Sequence, residues 1–147
     1  MKKLLTICAA FAATAFMASC SNSNKAAGGS NSEADLYKTW QLVEIDGLPV
    51  DTAGLMRPAQ FTFDKANSRI SGSAGCNMIT GGFTLEAPNR ITLSKLASTR
   101  MMCMGKMEYE DKFLKTSENI KTWSVTDGIL TLGTADGKTL VRLTAAQ

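Results

Sequence analysis

Histidine is absent from the 147 residues. That absence excludes Ser-His-Asp and Cys-His catalysis, histidine-ligated zinc and a histidine pH switch. Aromatic residues are only 7% and charged residues 20%, which fits neither an acidic disordered chain nor a nucleic-acid-binding one. The longest apolar run, Leu4 to Met17, is shorter than the about 20 residues a membrane-spanning helix needs. No internal repeat is apparent. What remains is enough chain for one domain and a short appendage.

The start of the chain reads as an address. Met1-Lys2-Lys3 is basic, and Leu4 to Met17 is apolar or small without charge, the pattern of a secretory signal. It ends in Met17-Ala18-Ser19-Cys20, which resembles a bacterial lipobox. That resemblance implies diacylglycerol on the Cys20 thiol, cleavage before Cys20 and acylation of the new amine. Residues 1–19 are therefore expected to be a lipoprotein signal peptide. The alternative is an ordinary signal cut after Ser19, or a buried N-terminal helix.

Losing this segment changes the charge argument. Removing Lys2 and Lys3 from 16 basic residues leaves 14 against 13 acidic ones, a net charge of +1. The whole-chain pI near 8.7 therefore comes mostly from the signal and does not argue for an anionic partner. Residues 20–35 follow as a tether, with Ser21 to Ala34 rich in Ser, Asn and Gly and lacking an apolar face. Its span is about 20 Å. Position 21 is Ser rather than the Asp that retains enterobacterial lipoproteins in the inner membrane. The tether also lacks an acidic surface-export run. The expected location is the outer membrane, lipid-anchored and facing the periplasm.

Residues 36–147 read as one mainly β domain of about eight short strands. Thr39–Ile45, Gln60–Asp64 and Arg69–Ser73 alternate apolar and polar positions. Gly82–Glu86 and Arg90–Ser94 flank Ala87-Pro88-Asn89 as a hairpin. Lys121–Val125, Ile129–Leu132 and Thr139–Leu143 are separated by Asp127-Gly128 and Asp136-Gly137, and Asp46-Gly47 closes the first strand. Asp-Gly between alternating runs is a strong hairpin signal. One helix is expected over Lys106–Asn119, with Tyr109, Phe113, Thr116 and Ile120 at near-helical spacing. Glu108, Glu110 and Asp111 lie early and Lys115 late, as the helix dipole favours. One helix among many strands argues for a curled antiparallel sheet covered by that helix, not a βαβ fold.

Three passages carry a more specific signal. Trp40-Gln41-Leu42 opens the domain. Gly72-Ser73-Ala74-Gly75-Cys76-Asn77 follows, with Gly81-Gly82-Phe83 close behind. Thr99-Arg100-Met101-Met102-Cys103 precedes Glu110 and Phe113. In this order they resemble the META domain, the HslJ-like (DUF306) family of small envelope proteins, over roughly Leu36 to Thr144. The motif residues are Trp40, Gly72, Gly75, Cys76, Asn77, Thr99, Arg100, Met101, Cys103, Glu110 and Phe113. Ser117 departs from the pattern, where an apolar residue is expected. The resemblance implies a curled or cracked antiparallel β-barrel with one helix, an association with stress responses, and no enzymatic activity. Secretin pilot lipoproteins resemble the same architecture.

Residue by residue, the bland readings are strong. Gly72, Gly75, Gly81 and Gly82 permit bends and close backbone approach, and no phosphate loop follows them. Asn77 reads as a turn residue. Arg100 is expected to pair with Glu110 or Glu108, or to present its fork to an anionic ligand. Cys76 and Cys103 are the cysteines left once Cys8 is removed and Cys20 lipidated. An oxidising periplasm favours a disulfide, and two buried thiols that never meet are the alternative. Met101, Met102, Met104 and Met107 beside Cys103, with Cys76 and Met78, could suit Cu(I) or Ag(I), yet methionines also fill irregular cores. No metal or cofactor is expected.

The leading expectation is a non-catalytic, monomeric envelope lipoprotein. It would act in stress tolerance or envelope maintenance by binding a protein partner, a lipid or another apolar ligand, and would not bind nucleic acid. Phe61, Phe63, Phe83 and Trp123 are candidate walls for an apolar ligand, or ordinary core. The alternatives are a soft-metal or redox sensor built on Cys76, Cys103 and Met101–Met107, and a pilot-like lipoprotein of a secretion assembly. Catalysis would have to use Glu108, Glu110 or Asp111, which read more simply as solvated dipole partners.

Overall fold

The strand from Thr39 sets the pattern for the rest of the chain. It buries Trp40, Leu42 and Ile45 and leaves the residues between them partly open, because alternate side chains of a strand face opposite sides. The structure, a computed structural model, describes residues 32–105 and 107–147. The expected signal peptide, Cys20 and the tether as far as residue 31 lie outside the described residues.

The chain begins with a helical turn, α1 (Glu33–Leu36), formed by residues assigned mostly to the tether by their composition. Leu36 is fully buried, and its carbonyl accepts the Trp40 indole N–H at 2.9 Å. The strands follow as β1 (Thr39–Ile45), β2 (Leu48–Pro49), β3 (Gln60–Asp64), β4 (Arg69–Ser73), β5 (Met78–Glu86), β6 (Arg90–Leu93) and β7 (Ala97–Ser98). Then come α2 (Glu108–Ser117), β8 (Thr122–Thr126), β9 (Ile129–Gly133) and β10 (Thr139–Ala145).

Eight of these strands form an antiparallel barrel in the order β1-β3-β4-β5-β6-β8-β9-β10, closed by pairing of β10 with β1. Closure removes the free sheet edges that invite aggregation. The expected curled barrel is therefore present and shut. Its narrowest seam is β6–β8, where Arg90 faces Thr122. There Ile91 N–H donates to Lys121 O (3.0 Å) and Trp123 N–H to Asn89 O (2.9 Å). A bulge between Leu42 and Glu44 on β1 breaks the strict alternation and bends the closing strand. β2 adds to β1, and β7 adds to β5.

The Asp-Gly turns behave as their chemistry requires. Asp46 and Gly47, and Asp127 and Gly128, all have positive φ, the conformation of a two-residue hairpin turn that matches strand twist. Asp136-Gly137 sits in a longer turn, where Thr134 N–H donates to Lys138 O and only Gly137 has positive φ. Gly81 and Gly82 lie inside β5 and not in a turn, and Gly81 permits close approach, since a Cβ there would come within 2.5 Å of a Leu96 methyl.

The barrel interior is filled by side chains. Phe61 stacks on Phe113 with centroids 4.2 Å apart, and Phe63 meets Phe83 edge-on at 5.4 Å. Trp40, Trp123, Ile70, Ile79 and Leu130 are buried with them. Phe61, Phe63, Phe83 and Trp123 thus serve as core and not as walls of a ligand chamber. No described helix is long and apolar enough to cross a membrane.

Candidate functional site

The motif residues converge where α2 meets the barrel. α2 has no Gly or Pro and buries Phe113, Thr116 and Ser117. The same face carries Glu110, only 3% exposed. A carboxylate buried this deeply requires donors, and the chain supplies them from two distant segments. The Asn77 N–H donates to Glu110 Oε2 at 2.6 Å, and the Asn77 side-chain amide donates to Oε1 at 2.9 Å. The Ser98 hydroxyl donates to Oε1 at 2.9 Å.

Asn77, 1% exposed, is the centre of this network. Its amide nitrogen also donates to Met101 O (3.0 Å). Its amide oxygen accepts from Thr99 Oγ1 (2.8 Å) and from Met101 N–H (2.7 Å). Both donors and both acceptor sites of the side chain are therefore engaged. Thr99 extends the network by accepting the Met78 N–H at 3.1 Å. This arrangement latches the β5 start, the β7–α2 segment and α2 to one another. Asn77 bridges distant segments instead of closing its own turn.

The Cys76–Cys103 disulfide closes the same junction, with Cα atoms 6.0 Å apart. Gly75, φ +119°, lies against a Leu55 methyl, and a Cβ there would come within 2.7 Å of it. Gly72 is packed tighter: a Cβ would lie 2.0 Å from the Gln60 carbonyl oxygen and 2.8 Å from the Phe61 ring. Gly72 thereby lets β4 close on β3 behind the Phe61–Phe113 stack. Trp40 lies directly across from Phe61 in the β1–β3 pairing.

Arg100 departs from the sequence reading. It is exposed, and among the described residues it pairs with neither Glu110 nor Glu108. Asn77 and Ser98 already fill the Glu110 carboxylate, which leaves no place for the guanidinium. Glu110 itself is not the solvated residue its position in the first turn of α2 implies. Ser117 replaces the expected apolar side chain at little cost, because its hydroxyl donates to Leu114 O at 2.7 Å.

The latch holds a loop with an unusual surface. Met56, Met78, Met101, Met102 and Met104 are five of the six large hydrophobic side chains exposed among the described residues. Met102 and Met104, 90% and 95% exposed, flank Cys103. Met56 reaches the same place from 47 residues away, its Sδ 3.6 Å from Cys103 Sγ. Met56, Met102 and Met104 thus form an open rim beside the disulfide instead of filling the gap between sheet and helix, while Met107 is half-buried just before α2. Met56 and Ser98 were missed from the sequence, since neither stands in a pattern that signals its partner. Among the described residues no group of three or more His, Cys, Asp or Glu side chains could hold a metal ion.

Residues 34–147 match the META domain. The chain belongs to the META-domain family. Solved structures share the fold. An NMR structure of a protein from Burkholderia xenovorans is 24% identical, with a TM-score of 0.60 over 76% of this chain and 85% of that one. A second NMR structure is 28% identical, with a TM-score of 0.56 over 74% and 90%. The crystal structure of a DUF4847 family protein from Bacteroides vulgatus is 19% identical, with a TM-score of 0.52 over 76% and 94%. No curated protein matches the chain. In this META domain Asn77, Ser98, Thr99 and Glu110 build the latch.

Proposed function

We propose that this META-domain chain is a non-catalytic binding module of the cell envelope. It is anchored by lipid on Cys20, faces the periplasm from the outer membrane, and works in envelope maintenance or stress tolerance by engaging a partner protein. One observation carries this reading. Asn77, Thr99 and Glu110 are engaged inside the domain, Arg100 is exposed, and the loop they fix displays a methionine rim. Unbranched thioether side chains adapt to an apolar partner surface, and a bridged loop holds them in place before binding. The barrel interior is occupied by its own aromatic residues, so an apolar partner fits the rim better than the core.

Photo-crosslinking from position 56, exposed and beside Cys103, in intact envelopes tests this. A discrete crosslinked protein is expected, with capture lost when Met102→Lys and Met104→Lys are combined in a folded domain. Recovery of a secretin subunit would make the module pilot-like. Absence of any adduct that depends on the rim would remove the reading. The mass of the mature protein tests the anchor: a triacylated Cys20 is expected, and an unmodified N-terminus after Ser19 would contradict it.

The contact between Met56 Sδ and the disulfide favours a second reading, a soft-metal sensor. With Cys76 and Cys103 joined, only thioethers are on offer, and they suit Cu(I) or Ag(I). This reading expects one Ag(I) per chain in the mass spectrum, lost in Met56→Leu. Absence of an adduct at excess Ag(I) would discard it.

A further inference from the structure

On the far flank of α2 from the latch, four lysines from three separate segments line one open cleft. Lys112 and Lys115 come from α2, Lys121 from the link into β8, and Lys138 from the β9–β10 turn. The cleft holds about 720 Å³, room for a phosphorylated headgroup or sugar. Asp46 and Asp136 also line it, so its formal charge is +2. The mature chain carries only +1 in total, so the cleft concentrates positive charge that the rest of the domain does not share.

The two acids are already satisfied. Lys138 Nζ donates to Asp46 Oδ1 at 3.0 Å. That bond, then the Lys138 charge and more weakly Lys112, hold the Asp46 carboxyl below its ordinary range. Asp136 turns back to accept the Thr134 hydroxyl. Lys115 and Lys121 form no ion pair among the described residues. The helix dipole accounts for Lys115, in the last turn of α2, but not for Lys112 in the middle of the helix. It does not account for Lys121 and Lys138, which lie outside the helix yet converge on the same space.

We infer that this cleft is a binding site for a phosphate ester. Lysines are compact, mobile point charges, and several converging on one cleft can surround the oxygens of a multiply charged tetrahedral oxyanion. The Thr116 hydroxyl and the Asn119 amide line the same cleft and supply neutral polar groups for orientation. The site is also separated from the anchor. Asp46 follows the seven residues of β1, about 20 Å along the strand from the α1 entry.

The test uses the mature lipidated protein in a neutral detergent and follows backbone amide NMR shifts. Inorganic pyrophosphate is one probe, and soluble short-chain phosphatidylglycerol is the other, with phosphatidylcholine of equal chain length as control. Saturable, salt-sensitive shifts are expected at Thr116, Asn119, Lys121 and Lys138. Combining Lys115→Gln with Lys121→Gln should weaken binding by about tenfold or more, while Lys65→Gln, at the α1 end, leaves it unchanged. Response to pyrophosphate alone assigns a phosphorylated small molecule, and response to phosphatidylglycerol above the control assigns a lipid headgroup. The inference is overturned if neither probe shifts these amides at millimolar concentration. It is equally overturned if the double variant binds as tightly as the parent.

Discussion

Asn77 shows how much one side chain can decide. Its amide faces Glu110, Thr99 and Met101 at once, so Asn77→Ala leaves a buried carboxylate and several backbone groups without partners. The expected cost is about 3 kcal/mol or more, read as a fall in the urea midpoint. Glu110→Gln tests the same point more finely. Its amide nitrogen would face the donors of Asn77 and Ser98, so a clear loss of stability is expected although size is conserved. A Gln variant as stable as the parent would show that the latch does not need an acceptor-only side chain. Both residues stand in the family motif, but their partnership is not legible there, because nothing local links positions 33 residues apart. The burial of Glu110 is equally hidden, since a first-turn acid on a helix is usually solvated.

The elements were legible where the signal was local. Gln60–Asp64 and Arg69–Ser73 are strands at the expected residues, because a half-buried strand needs period-two alternation. The core of α2 followed from its spacing of Tyr109, Phe113 and Thr116. The two-residue strands β2 and β7 were not legible, since they exist only by pairing with a neighbour. α1 was hidden by a tether-like composition, and Leu36 shows its role only once Trp40 lies over it. Among connections, the Cys76–Cys103 bridge spans a sequence separation of 27 and should add about 3–4 kcal/mol by restricting the unfolded chain. Reductant should therefore lower the thermal midpoint markedly, and Cys76→Ala/Cys103→Ala should lose the response to it. The turns carry the pH dependence. Lys138 holds down Asp46, Asn67 holds down Asp64, and Thr134 holds down Asp136. A depressed carboxyl contributes stability that is complete above its unfolded value and is lost as pH falls through the lowered folded value. Urea midpoints should thus be flat from neutral pH to about pH 4 and fall below it. A decline already complete by about pH 5 would contradict this assignment.

For the molecule as a whole, closure of the β1–β10 pair makes a sealed, filled barrel whose distinctive surfaces lie outside the core. The methionine rim and the lysine cleft are both built from segments far apart in sequence, so neither could be read before the chain was folded. The rim's adjacent methionines were visible as a cluster, but whether they faced core or solvent depended on where the latch held them. The motif residues gathered around Asn77 and Glu110 are scaffold, and the rim is the working surface. The most direct measurement is partner capture from intact envelopes by the combined Met102→Lys, Met104→Lys variant, with its stability measured in parallel. Exposed substitutions of this kind should change stability by no more than about 0.5 kcal/mol. Melting should be unchanged and capture lost. Capture at the parent level by the well-folded variant would contradict it.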